Sequence, residues 1–90
     1  MKNKNPLISV IMNCHNGESF LTKSIQSILN QSYRNWELIF WDNKSQDRSK
    51  EIALSFKDKR IRYFKTNKLS KLYKARNFAL NKAKGEYISF

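Results

Sequence analysis

The sequence predicts an α/β fold: a βαβαβαβ, Rossmann-like parallel sheet with helices on both faces. Three observations predict it. Four short runs, Leu7 to Met12, Trp36 to Trp41, Ile61 to Phe64 and Glu86 to Phe90, are rich in β-branched and aromatic residues. The first two are nearly continuous in apolar residues, as expected of strands covered on both faces. The stretches between the runs, residues 13–35, 42–60 and 65–85, hold 23, 19 and 21 residues. That is too long for hairpins and long enough for crossovers, which usually carry a helix.

Each connection reads as a helix. In the first, Leu21, Ile25, Ile28 and Leu29 recur at helical spacing, with Phe20 flanking the stripe. In the second, Ile52, Ala53 and Phe56 form a shorter stripe, and either Ser45 or Asp47 can cap its start. In the third, Leu72, Ala75, Ala79 and Ala83 make a narrow face of mostly small residues suited to close packing on a sheet. Gly85 is expected to end that helix as a residue past its C-terminus. Strand-helix-strand order then implies right-handed crossovers.

Length and composition bound the function. Ninety residues make one small domain at most, and a chain this short buries about 60–65% of its unfolded surface. A two-domain enzyme with a cleft between its halves is excluded. The chain is 40% hydrophobic and 28% charged, a globular balance rather than a disordered one. Its apolar runs are too short to span a bilayer, and no signal-peptide pattern opens it. The lone Cys14 excludes an internal disulfide and a Cys-rich zinc site, so a reducing, cytoplasmic setting is expected. Residues 1–5 are expected to form a frayed end. The stop at Phe90, in or beside the fourth strand, suggests that residues 6–90 are part of a larger domain.

The net charge of +11 is uneven. Residues 57–84 hold eleven Lys or Arg against one acid, Asp58. Such a field favours anionic partners, although most of these side chains read as a solvated face.

In open α/β sheets ligands bind beyond the carboxyl ends of the strands, where strand order reverses. Two polar clusters are expected there, Asn13 to Glu18 and Asp42 to Asp47. Both lead into helix starts, and neither is a glycine-rich phosphate loop. Asp42 can accept hydrogen bonds from a base N–H or a sugar hydroxyl, or serve as a turn residue. His15 can stack on a flat ring, hydrogen-bond it, or simply end a strand. Cys14 is expected to point into the core. Arg76 lies between core-like alanines, where its guanidinium can reach a phosphate or run to the surface.

Several linked motifs resemble the N-terminal half of family 2 glycosyltransferases with the GT-A fold. The opening strand and helix of that family read S-V-I-x-x-x-Y-N, then L-x-x-x-I-x-S-I-L-x-Q-x-Y. The chain has Ser9-Val10-Ile11-Met12-Asn13-Cys14-His15-Asn16, then Leu21, Ile25 and Ser27-Ile28-Leu29-Asn30-Gln31-Ser32-Tyr33. The family's E-L-I-x-x-D-D-x-S-x-D is matched by Glu37 to Asp47, with Asn43 in place of the second acid. Its A-R-N-x-A-L helix and G-E-Y-I-x-F strand are matched by Ala75 to Leu80 and Gly85 to Phe90. The Asn-Cys and Phe-Trp-Asp-Asn variants are similar to a subgroup associated with bacterial surface-polysaccharide synthesis.

The resemblance implies a role for each matching position. Asn13 and His15 fall where the family contacts the nucleotide base of a sugar donor, His15 replacing the usual Tyr. Asp42 and Asn43 fall on the family's paired acids, and Arg76 on the Arg near the donor diphosphate. The segment from Thr66 to Lys71 lacks the glycine common before that helix. The D-x-D metal motif is expected just beyond Phe90 and the catalytic base further on. No catalytic or metal-binding residue is therefore expected within the chain, and the chain alone is expected to be inactive. A divalent metal, Mg or Mn, is implied for the full-length enzyme, with none bound by this chain alone. The implied partners are a UDP- or dTDP-type nucleotide-sugar and a glycan acceptor, with no nucleic acid. Charge adds peripheral contact with anionic lipid at the inner membrane face, and an open edge strand adds self-association. A basic nucleic-acid-binding module and a non-catalytic assembly fragment stay open as alternatives. The nucleotide reading requires the polar tips of the first two strands to meet at one hollow.

Overall fold

The computed structural model describes residues 5–66 and 72–89. Seven elements alternate: β1 (Ile8–Cys14), α1 (Glu18–Asn30), β2 (Trp36–Asn43), α2 (Ser49–Ser55), β3 (Ile61–Thr66), α3 (Leu72–Lys82) and β4 (Tyr87–Ser89). The strands form one sheet in the order β3-β2-β1-β4, and every neighbouring pair is parallel. This is the predicted class and element order. Of the predicted frayed end, residues 1–4 lie outside the described residues; the Asn5 carbonyl accepts a hydrogen bond from the Asn35 amide.

β1 and β2 each run two residues further than their apolar runs. Parallel pairing continues through Cys14 opposite Asp42, and β3 pairs on to Asn43 opposite Thr66. Asn13, Asp42 and Asn43 are thus strand residues rather than loop residues, and their side chains alternate between the two faces.

β2 is one of the two inner strands, and all eight of its residues are buried. On one face Trp36, Leu38 and Phe40 pack with Leu21 and Ile25 of α1 and Ala53 of α2. On the other, Ile11, Ile39 and Trp41 pack with Ala75 and Ala79 of α3. A helix face of alanines brings α3 close to the sheet, so the bulk on that side comes from the strands. Each large side chain buried here contributes about 1.5–3 kcal/mol.

The division of the helices follows from strand order. The chain steps from β1 to β2 to β3 in one direction, with α1 and α2 on one face. It then returns past β2 and β1 to place β4 beside β1. With crossovers of one hand, a reversed step must put its helix on the opposite face. The order therefore reverses between β1 and β4, which is where α/β sheets bind ligands.

Two expected helix ends differ in detail. α2 starts at Ser49 with Arg48, neither Ser45 nor Asp47, at the N-cap position and no side-chain cap bond; Asp47 Oδ1, one residue earlier, accepts the Ser49 N–H at 2.9 Å and its hydroxyl at 2.6 Å. α3 stops at Lys82 with an Ala83 N–H to Leu80 carbonyl bond, and neither glycine has a positive φ. Gly85 therefore does not terminate the helix. Its N–H donates to Ser9 Oγ at 2.8 Å at the opposite end of the sheet from the candidate site.

Candidate functional site

The carboxyl ends of β1 and β2 are joined side by side. His15 Nδ1 lies 2.7 Å from the Asn43 carbonyl oxygen. A carbonyl can only accept, so Nδ1 carries the proton. The Asn16 amide sits 3.4 Å from His15 Nε2. The Asn16 N–H donates to Ser45 Oγ at 2.9 Å, and Asn16 Oδ1 accepts the Gln46 N–H at 2.7 Å. The N–H groups that open α1 are met by the start of α2 and the loop before it: Gly17 donates to Ser49 Oγ at 2.9 Å and Glu18 to Asp47 Oδ2 at 3.0 Å. Cys14 is buried, as expected, with its Sγ 3.5 Å from Ser49 Oγ. Asp47 is partly buried, and desolvation pushes its carboxyl up. The bonds from Ser49 and Glu18 outweigh that and hold it below its ordinary value.

Both loops turn through left-handed backbone, Asn16 at φ 54° and Lys44 at φ 53°. Asn visits this region readily, whereas Lys does so at a cost of about 1–2 kcal/mol. Asp42 holds the second turn in place, its Oδ1 accepting the Ser45 N–H at 2.9 Å. The turn role open to Asp42 from its sequence position is therefore real.

It is not the whole role. Asp42 is 4% exposed, and its Oδ2 accepts the Tyr63 hydroxyl at 2.6 Å. Burial, then that bond and the charge of Asp42, push the Tyr63 phenol well above its ordinary range. Asp42, Ser45, Tyr63 and Thr66 line a cavity of about 270 Å³ that Lys44, Lys50 and Lys65 also border. A second cavity, about 470 Å³, opens at the strand-order reversal and is lined by Asn13, Arg76, Ser24, Gln31 and Ser89 among others.

The five sequence-predicted residues thus do not share one hollow. His15 and Asn43 bind the two strand tips together. Asp42 faces the α1–α2 side, with Phe40 and Tyr63. Asn13 and Arg76 line the larger cavity on the reversal side. The cause is the period of two: once both strands extend to Cys14 and Asn43, consecutive polar residues must point to opposite faces. Asn13 and Trp41 are cross-strand partners, and Asn13 Oδ1 and Trp41 Nε1 are both buried without a hydrogen-bond partner. Each such atom costs about 1–3 kcal/mol until something bonds to it. Tyr63, Lys44, Lys50 and Lys65 were not singled out in the sequence. Their signal is register, Phe40 opposite Tyr63 and Asp42 opposite Lys65, which exists only once β3 is placed beside β2.

Among the described residues no three His, Cys, Asp or Glu side chains are grouped to hold a metal ion. Asp42 is already engaged by an N–H and an O–H donor, so the described donor set does not fit a divalent cation. No described helix is long and apolar enough to cross a membrane.

The sequence model of the family described as Glycosyl transferase family 2 matches residues 9–90. The chain belongs to glycosyl transferase family 2. An uncharacterized glycosyltransferase of Haemophilus influenzae is 48% identical over 87 residues, covering 94% of this chain and 35% of that protein. The UDP-Glc:alpha-D-GlcNAc-diphosphoundecaprenol beta-1,3-glucosyltransferase WfgD of Escherichia coli is 42% identical, covering 93% of this chain and 33% of that protein. This family 2 chain therefore spans about a third of the length of these relatives. Among solved structures, S. aureus TarS 1-349 aligns with a TM-score of 0.85 at 26% identity, over 90% of this chain and 25% of that one. The mannosyltransferase PcManGT from Pyrobaculum calidifontis, in complex with GDP-Man and Mn2+, aligns with a TM-score of 0.84 at 22% identity, over 96% of this chain and 27% of that one. At that identity the likeness is one of fold, and it agrees with the GT-A arrangement expected from the motifs.

Proposed function

We propose that this family 2 chain forms the nucleotide-binding part of a glycosyltransferase. In this reading the whole enzyme transfers a sugar from a UDP- or dTDP-type donor to a glycan hydroxyl in bacterial surface-polysaccharide synthesis. The supporting observation is the joined β1 and β2 tips, which carry the Asp42 carboxylate on one side and the Asn13–Arg76 cavity on the other. Asp42 accepts an N–H of the base. Asn13 offers its unpaired acceptor to the nucleoside, and Arg76 supplies positive charge near the diphosphate. His15 and Asn43 keep the two sides in fixed relation.

In the transfer, the acceptor oxygen forms a bond to the anomeric carbon as the bond from that carbon to the diphosphate oxygen breaks, with inversion. The acceptor proton passes to a base outside this chain, and the electron pair leaves on the nucleoside diphosphate. A divalent metal held outside the described residues would supply positive charge for that leaving group. The lysine-rich half lies against anionic lipid at the cytoplasmic face, near a lipid-linked acceptor. Vesicle sedimentation checks this last point: preference for acidic over neutral vesicles is expected, and equal recovery with both rejects it.

NMR titration of the ¹⁵N-labelled chain with UDP tests the nucleotide reading. Shift changes are expected at the amides of Asn13, His15, Asp42 and Ser45, with no turnover of UDP-sugar by the chain alone. An unchanged spectrum at saturating UDP, or a salt-sensitive response to oligonucleotides instead, rejects it.

A further inference from the structure

We infer that α3 is the face by which the chain lies on an anionic lipid surface, with the Phe78 ring as apolar anchor between Lys74 and Lys82. The inference rests on the lipid contact proposed above and assigns that contact to one face of the sheet and to named side chains.

The charge is concentrated around this helix. No acid occurs between Asp58 and Glu86, and α3 carries Lys74, Arg76 and Lys82 with no acid of its own. Lys74, Phe78 and Lys82 are spaced four residues apart, which puts them on one stripe of the helix. Ala75 and Ala79 take the sheet-facing side and are fully buried. Phe78 is 41% exposed and rests its ring against Trp41, at 5.4 Å between centroids and 31° between planes. Trp41 stacks in turn on Phe64 at 6.1 Å, and Lys82 Nζ lies 5.4 Å from the Phe64 ring centre. The exposed ring is therefore backed by two packed rings, and a lysine stands on either side of it along the helix.

The pattern fits a lipid surface better than other polyanions. An aromatic ring can enter the boundary between headgroups and acyl chains while lysine stems run back to the phosphates. Each lysine near an anionic leaflet strengthens binding by about fivefold. Single-stranded nucleic acid instead needs a series of exposed ring faces on which bases stack. Trp41 is 9% exposed and Phe64 is partly buried, so Phe78 alone of the three rings is exposed. The geometry also leaves the larger cavity open. Arg76 lies two residues before Phe78, about 200° around the helix, and lines that cavity from the opposite flank. A chain resting on Phe78 thus keeps the Asn13–Arg76 cavity off the lipid.

The experiment measures binding to phosphatidylcholine vesicles with and without phosphatidylglycerol. Wild type is compared with the double variant Lys74→Gln, Lys82→Gln and with the double variant Lys23→Gln, Lys50→Gln. The second pair removes the same charge from exposed positions of α1 and α2, on the opposite face. The α3 pair is expected to bind acidic vesicles about tenfold more weakly or worse, and the α1–α2 pair to stay within about threefold of wild type. Phe78→Gln keeps the charge and is expected to lose about fivefold or more. If Phe78→Gln fails to fold, the wild-type chain still decides: spin-labelled lipid should broaden the amide signals from Lys74 to Lys82 before those of α1. Equal losses in the two lysine pairs, or broadening spread evenly over both faces, overturns the α3 assignment while leaving the lipid contact intact. Absence of any preference for acidic vesicles overturns both. Oligonucleotide binding that depends on Lys74 and Lys82, without binding to acidic vesicles, gives the patch to nucleic acid and also overturns both.

Discussion

Replacing Glu37 with alanine is expected to destabilise the chain by about 2–4 kcal/mol, from about 1–3 kcal/mol for each donor left without its acceptor; the partner Arg62 is partly exposed. A domain of this length has about 5–13 kcal/mol in all, so the variant sits near the edge of folding. Glu37 is 6% exposed and lies one residue into β2, at the amino ends of the strands. Its Oε1 accepts from Arg62 at 2.9 Å, and its Oε2 from the Ser9 hydroxyl and the Lys84 N–H, each at 2.6 Å. One carboxylate thus ties β2 to β3, to β1 and to the segment entering β4. Alanine leaves the fully buried Ser9 hydroxyl and the Lys84 N–H without their acceptor, and Arg62 with the Lys82 carbonyl at 2.7 Å and the Phe64 ring at 5.4 Å. Urea unfolding followed by circular dichroism checks this; a loss below about 1 kcal/mol would mean that water replaces the carboxylate.

The same network gives an acid dependence with a definite sign. Burial alone pushes the Glu37 carboxyl up, but the bonds from Ser9, Lys84 and Arg62 and the charge of Arg62 outweigh it. The group is held below its ordinary 4.5. A carboxyl that is more acidic when folded contributes stability above its unfolded value and loses it as pH falls through the folded value. The wild-type urea midpoint should therefore begin to fall as pH drops below about 4.5. Glu37→Gln, which has no proton to take up, should start lower and fall less steeply over that window.

The architecture was legible because hydrophobic patterning carries it. The continuous apolar run through β2 required burial on both faces, and the lengths of the connections excluded hairpins. Leu21 and Ile25, and likewise Ala75 and Ala79, fall on buried helix faces as their spacing implied. The arrangement of the candidate residues was not legible. Asn13, His15, Asp42, Asn43 and Arg76 do gather around the carboxyl ends of β1 and β2. Apolar patterning, however, cannot see two further residues of parallel pairing, and those residues alternate Asn13 and Asp42 onto opposite faces. Tyr63 was illegible for a related reason. Its partner is 21 positions away, and only the register of β3 against β2 brings the two within reach.

Gly85 shows how a residue can be marked by sequence for the wrong reason, and Gly85→Ala separates the two explanations. A glycine three residues past a helix end suggests a terminator, whose replacement costs about 1 kcal/mol through left-handed backbone. The backbone at Gly85 is not left-handed. A methyl there would instead lie 2.5 Å from Ser9 Oγ, 2.7 Å from the Ser9 nitrogen and 2.8 Å from the Leu7 carbonyl oxygen. Two of these atoms are backbone, one in β1 and one in the residue just before it, and Ser9 Oγ is fixed by Glu37 at 2.6 Å. None can yield without opening the contact by which the Glu86 N–H meets the Leu7 carbonyl at 2.8 Å and β4 enters the sheet. We expect Gly85→Ala to cost about 3 kcal/mol, at the upper end for overpacking, and to weaken amide protection in β4 before the rest of the sheet. Gly17→Ala is the comparison. There the closest atom, at 2.7 Å, is the ring tip of Phe20, which is 54% exposed and can swing away, although Cys14 Sγ at 2.8 Å must also shift. A smaller loss at Gly17 than at Gly85 assigns Gly85 to close packing against β1. Equal losses near 1 kcal/mol at both would return it to the helix-terminating role.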